Sequence, residues 1–167
     1  MFARTERLLL RPGFPEDAPA LAAARVDEAL TMAEAFLAQP RDPLLPSLLI
    51  TERTDGAPRI VGGCHLGRRP SGAIEIQLWV AMQHSGRGLA TEAGAALVDI
   101  ARTLRLPTLE ASYFLDDAAS GRVLEKLGFA PTGLIAPRAR NGQGETAPAR
   151  LMRLCLCCDR ELEPLAA

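Results

Sequence analysis

Between residues 73 and 104 the chain changes its hydrophobic rhythm across one short loop, and that change constrains the local fold more than any other feature. Ile74, Ile76, Leu78 and Val80 alternate with Glu75, Gln77 and Trp79, so the segment predicts a strand with one apolar face. Leu89, Ala93, Ala96, Leu97, Ile100 and Leu104 then recur at helical spacing, which predicts a helix that seats one stripe on a sheet. The six residues Gln83-His84-Ser85-Gly86-Arg87-Gly88 therefore sit at a strand-to-helix turn, with the helix N-terminus facing outward. A further strand signal at 108–113 turns the unit into a right-handed strand-helix-strand crossover.

Other strand signals lie at 8–11, 47–53, 59–66 and 150–157, each bounded by Pro, Gly or Asp. Helical patterns lie at 15–24, 27–38 and 117–127, beside the one at 89–104. Runs of antiparallel strands followed by a crossover give a mixed α/β (α+β) fold. Segments 39–46 and 136–148, rich in Pro or in Gly, Arg and Pro, read as exposed loops able to frame an acceptor pocket.

A length of 167 residues fits one domain spanning 1–167, with 48% hydrophobic and 23% charged residues as in ordinary soluble proteins. A net charge of -1 supplies no field for holding nucleic acid, so an anion must be held locally. No apolar stretch approaches the roughly 20 residues that span a bilayer, and residues 1–11 lack signal-peptide order. The expectation is a cytoplasmic protein without membrane or nucleic-acid partners. Cys155, Cys157 and Cys158 crowd along one strand signal, where sulfurs neither converge on a metal nor pair easily, so they read with Cys64 as thiols.

The loop carries chemistry. Gly86 and Gly88 let the backbone approach an anion, the first helical N–H groups and the helix dipole favour it, and Arg87 adds a cation. Spacing alone also allows a flexible turn that merely starts a helix. Thr91 occupies the place of the third glycine of a dinucleotide fingerprint, and no Gly-Lys-Ser/Thr ending marks a nucleoside-triphosphate loop.

Gln83-His84-Ser85-Gly86-Arg87-Gly88 resembles the Gln/Arg-x-x-Gly-x-Gly/Ala signature of the GNAT superfamily of N-acetyltransferases. GRGLATEA at 86–93, DDAASGRVLEKLGF at 116–129 and the opening RTERLLLRPGFPEDAPAL resemble its ribosomal-protein-alanine, RimJ/RimL-type branch. The resemblance implies a mostly antiparallel sheet of roughly six to seven strands, splayed after the fourth and flanked by about four helices. It implies acetyl-CoA as co-substrate and no metal. Trp79 and Val80 would pair by backbone with the pantetheine arm, and Gln83, His84, Ser85, Gly86, Arg87, Gly88, Leu89, Ala90 and Thr91 would hold the pyrophosphate. Asp117, Ser120 and Arg122 would contact the cofactor from the next helix.

Three positions depart from the pattern: Ser85 stands where the branch usually has a Trp, Asp117 where the family's Asn hydrogen-bonds the pantetheine chain, and Leu124 near the acid Tyr of many GNAT enzymes, in whose place the branch tends to offer a Ser. Asp117 can accept and cap a helix but cannot donate when ionised. Ser120 either bonds the cofactor sulfur, as in the branch, or is a surface Ser. Glu75 matches the branch's strand Glu and is the first candidate for general base, with His65 second and Tyr113 and His84 behind. The function implied is acetyl transfer to a primary amine of a protein N-terminus, amino acid or small molecule, by direct attack in a ternary complex. The alternative is a non-catalytic acyl-CoA-binding or regulatory domain. A homodimer is also expected by resemblance.

Overall fold

The computed structural model describes residues 2–17, 42, 44–139 and 146–157. Strands β1 (Ala3–Arg4), β2 (Leu8–Arg11), β3 (Ser47–Glu52), β4 (Arg59–Arg68) and β5 (Ile74–Val80) precede helix α1 (Leu89–Thr103). Strand β6 (Thr108–Phe114), helix α2 (Ala118–Lys126), β7 (Ala130–Ala139) and β8 (Thr146–Cys155) follow. All eight strands form one sheet in the order β1-β2-β3-β4-β5-β6-β8-β7. Every neighbouring pair is antiparallel except β5 and β6, which the α1 crossover makes parallel. Of the early helical patterns, the described part holds only a short 3-10 turn at Pro15–Asp17; the remainder of 15–24 and all of 27–38 lie outside the described residues.

One face of the sheet is the apolar core. Leu8, Leu10, Leu48, Ile50, Cys64, Ile76, Leu109 and Met152 bury there against Leu89, Ala93, Leu97 and Ala101 of α1 and Leu124 of α2. The predicted period-two and helical stripes thus meet face to face. Missing side chains let the helices settle closely: a Cβ on Gly94 would lie 2.5 Å from Leu127 Cδ1, and one on Gly121 would lie 2.9 Å from the Tyr113 ring. Tyr113 is accordingly a packing residue under α2, which removes it from the candidate bases.

Two strands lie outside the located strand signals, although a terminal hairpin is one of the alternatives that the element order allows, and their chemistry explains why. β1 has two residues. β7 forms the sheet edge and contains Pro131 and Pro137, residues that an edge tolerates because half of its N–H groups need no ladder partner. Segment 136–148 is therefore not one loop: β7 runs to Ala139, β8 begins at Thr146, and Pro137 pairs with Pro148.

Cys64 is fully buried, and desolvation pushes its thiol up to about 12, so it is unreactive at neutral pH. Cys155 is disulfide-bonded, which corrects its reading as a thiol, whereas Cys157 is a free cysteine as expected. The strand ends at Cys155 and the backbone bends at 156 and 157, so the extended geometry that separates neighbouring sulfurs no longer holds. Among the described residues no helix is long and apolar enough to cross a membrane.

At Gly62 on β4, a Cβ would lie 2.2 Å from the backbone oxygen of Trp79 on β5. Backbone cannot yield as a flexible side chain does. Gly62→Ala is expected to lower Tm by on the order of 5 °C or more, read by calorimetry, because overpacking at this junction forces two central strands apart.

Candidate active site

After β5 the chain makes a 3-10 turn at Met82–His84 and an extended step at Ser85, then enters α1 through two glycines. Gly86 has φ +73° and Gly88, the N-cap of α1, has φ +79°, a left-handed conformation that side chains rarely adopt. A Cβ on Gly86 would meet nothing within 4 Å, and one on Gly88 only Arg7 Nη2 at 3.6 Å. The glycines are thus required by the backbone turn, and the surface above them is open. No side chain caps α1. The amides of Leu89, Ala90 and Thr91 at its first turn lack i−4 partners, which is the arrangement that holds an anion.

The cations around this loop are already ordered. Arg87 points its guanidinium at the buried Glu52, with Nη1 donating to Oε2 at 3.1 Å and Nη2 bonded to Oε1. That fork holds the Glu52 carboxyl below its ordinary value, against the opposing effect of burial. Arg87 therefore ties the loop to β3, and its charge is shared with Glu52 rather than free for a phosphate. His84 is buried beside it, and desolvation lowers its affinity for a proton although Glu52 opposes this. Arg7, which the sequence reading did not single out, pairs with Glu92 at 2.7 Å and donates from Nη1 to the Arg87 carbonyl at 3.0 Å. The only sequence signal for it was the opening RTERLLL segment, since an exposed Arg in the bend between β1 and β2 has no motif of its own.

These groups share one direction of pH dependence. The Arg11 hydrogen bond holds Asp17 low, and the Arg87 hydrogen bond does so for Glu52. Burial raises Glu92, but bonds from Thr5 and from the backbone and side chain of Arg7 outweigh it and the net shift is downward. His65 and His84 are lowered by burial. Each group has a folded value below its unfolded one, so the unfolded chain binds more protons as pH falls. Stability is expected to be full above the ordinary His value of 6.5, to fall gently below it, and to fall steeply below the ordinary Glu value of 4.5. Thermal melts from pH 8 to 3 check this, and Glu52→Gln should shallow the acid limb.

The sheet splits beside the loop. β5 and β6 are bridged only at Glu75 and Glu110, although both strands continue for several residues. Ala81 N–H donates to Val61 O at 2.9 Å and the Trp79 oxygen faces Gly62, so alternate residues of β5 turn their amides toward β4. The intervening residues, Leu78 and Val80, turn theirs into the split. This adjusts the expected backbone pair: Val80 lines the opening, Leu78 joins it, and the Trp79 amide is used within the sheet. The Trp79 indole lies across Gly63, and its Nε1 is buried without a hydrogen-bond partner.

Glu75 sits at the apex of the split, buried on the face opposite the core. Arg69 Nη1 lies 2.7 Å from its Oε2, and Gln77 Nε2 donates to the same oxygen at 3.3 Å. Ser112 Oγ donates to Oε1 at 3.4 Å from β6, across the opening. His65 pairs with Gln77 in the ladder and so shares this face. Arg69 and Ser112 were not legible in the sequence; each gains meaning only from strand register.

On α2, Asp117 is the N-cap, accepting from Ser120 N–H at 3.0 Å and from Ser120 Oγ at 2.6 Å. The capping role of Asp117 and the surface position of Ser120 are thus both realised, and the Ser120 hydroxyl is engaged by Asp117. Arg122 is exposed on the same helix, and Leu124 is in the core.

A split sheet beside an uncapped, glycine-fronted helix start sets an open strand edge next to an anion-competent helix end, and the comparisons with known proteins define the class. The family model described as Acetyltransferase (GNAT) domain matches residues 7–130. The chain belongs to the GNAT acetyltransferase family. An acetyltransferase from Agrobacterium tumefaciens str. C58 is 25% identical with TM-score 0.64, covering 92% of this chain and 94% of that one. Ribosomal-protein-S5-alanine acetyltransferase from Vibrio fischeri is 16% identical with TM-score 0.69, covering 98% and 100%. RimL, a ribosomal L7/L12 alpha-N-protein acetyltransferase solved with coenzyme A, is 15% identical with TM-score 0.71, covering 93% and 98%. None of the curated proteins searched matches the chain.

Proposed function

We propose that this protein transfers the acetyl group of acetyl-CoA to a primary amine by direct attack in a ternary complex. The observation that carries the reading is the adjacency of the Leu78/Val80 split to the uncapped helix start behind Gly86 and Gly88. The pyrophosphate fits the amides of residues 86–91, and the pantetheine arm fits the unpaired edge of β5 as an added strand. The Val80 N–H is placed to donate to the thioester oxygen as negative charge develops on it. Glu75, at the apex of the split, accepts the proton that the amine loses. Attack forms the C–N bond and breaks the C–S bond, releasing the amide and the thiol.

The coenzyme A complex of RimL and the ribosomal-protein acetyltransferase neighbours support a peptide N-terminus as acceptor; a free amino acid or small amine fits the same chemistry. A cytoplasmic location and a homodimer belong to this reading. Buried Leu124 and the closed Asp117–Ser120 pair leave no hydroxyl acid on α2 facing the thiolate, and this favours a second reading, an acyl-CoA-binding domain without turnover. A thiol-release assay with acetyl-CoA against ribosomal-protein N-terminal peptides, amino acids and polyamines separates them. Release with one amine class supports transfer; binding without release across the panel supports the second.

A further inference from the structure

The Glu75 carboxylate is not symmetrical in its surroundings. Oε2 is anchored by Arg69 at 2.7 Å and by Gln77 at 3.3 Å, two groups that cannot accept a proton from it in this geometry. Among the described residues, the Ser112 hydroxyl hydrogen-bonds Oε1, at 3.4 Å. That contact crosses the split. If β5 and β6 continued as a regular parallel pair beyond Glu75 and Glu110, Ser112 would stand opposite Gln77; instead the strands separate and the hydroxyl reaches back to Glu75. Ser112 thus stands on the β6 wall of the opening, while the Leu78 and Val80 amides stand on the β5 wall. A hydroxyl both donates and accepts, which neither Arg69 nor the Gln77 amide nitrogen can do.

We propose that Ser112 is the proton relay of the transfer, standing between the acceptor amine and Glu75 Oε1, with Arg69 and Gln77 holding the other carboxylate oxygen still. As the amine nitrogen bonds to the thioester carbon, its proton passes to Ser112 Oγ while the Ser112 proton passes to Glu75 Oε1. The C–S bond breaks, and the thiolate leaves and is protonated by water; Glu75 returns its proton to solvent, so the sum is amine plus acetyl-CoA giving amide plus thiol. The relay rests on the acetyl-transfer reading and adds a specific residue to it. Residues on β6 carry none of the recognisable loop or helix motifs, so Ser112 is not legible before strand register is known.

The test compares wild type, Ser112→Ala and Ser112→Thr with whichever amine the thiol-release panel identifies, measuring kcat, KM and acetyl-CoA Kd, with melting curves to establish folding. The relay predicts that Ser112→Ala lowers kcat by roughly 10- to 100-fold with acetyl-CoA Kd and amine KM within about twofold of wild type. Ser112→Thr, which keeps the hydroxyl, should recover most of the rate. In a Glu75→Gln background, Ser112→Ala should cost little more, because both changes break one path. A wild-type kcat for Ser112→Ala overturns the relay, as does an equal fall in Ala and Thr variants or a loss confined to KM. Absence of turnover in the wild-type protein itself would instead overturn the transfer reading on which the relay stands.

Discussion

Replacing Gly86 and Gly88 together by valine is expected to weaken acetyl-CoA binding by roughly 30- to 1000-fold. Each position has positive φ, where a β-branched residue costs about 1–2 kcal/mol, and the free loop can escape that cost only by leaving the geometry that presents its amides. Folding should suffer much less than binding. Neither Cβ meets protein atoms closer than 3.6 Å, so the substitutions fill the open space above the loop instead of the core. Isothermal titration reads the affinity and a melting curve reads the fold. Unchanged affinity in the double variant would mean that the anion is held elsewhere.

Glu75→Gln is the second large effect. The variant keeps a planar group of the same size against Arg69, Gln77 and Ser112, but it cannot take a proton at neutral pH. Loss of a positioned base removes roughly 10²- to 10⁴-fold from kcat, whereas acetyl-CoA is bound by backbone amides of the loop and of β5, which the change leaves alone. The expected signature is therefore a large fall in kcat at nearly constant acetyl-CoA Kd. A variant with the wild-type rate would remove Glu75 from the reaction and leave His65, on the same face, as the next candidate base.

What could be read ahead of the structure follows from how locally each property is encoded. The alternation of Ile74, Ile76, Leu78 and Val80 and the helical stripe from Leu89 carry their own periods, and both elements stand where those periods place them. Gly86 and Gly88 declare their role because positive φ has a residue preference. Asp117 behaves as an N-cap for the same kind of local reason. Pairing does not announce itself. The strand split depends on β5 and β6 losing register after one bridge, and the Ser112 contact with Glu75 depends on that divergence. The Arg87 fork to Glu52 joins residues 35 apart, so a loop arginine that reads as a phosphate ligand turns out to be a strut. Edge strand β7, the first arm of a terminal hairpin, has no locatable signal because Pro131 and Pro137 are breakers everywhere except on an edge.

The central claim is that one continuous surface, from the Leu78 and Val80 amides to the first turn of α1, receives acetyl-CoA. Amide hydrogen exchange measured with and without acetyl-CoA tests it most directly. Slowed exchange is expected at Leu78, Val80 and residues 84–91 on binding, with little change along β2 or β8. Protection confined to other strands, or none at saturating acetyl-CoA, would contradict it.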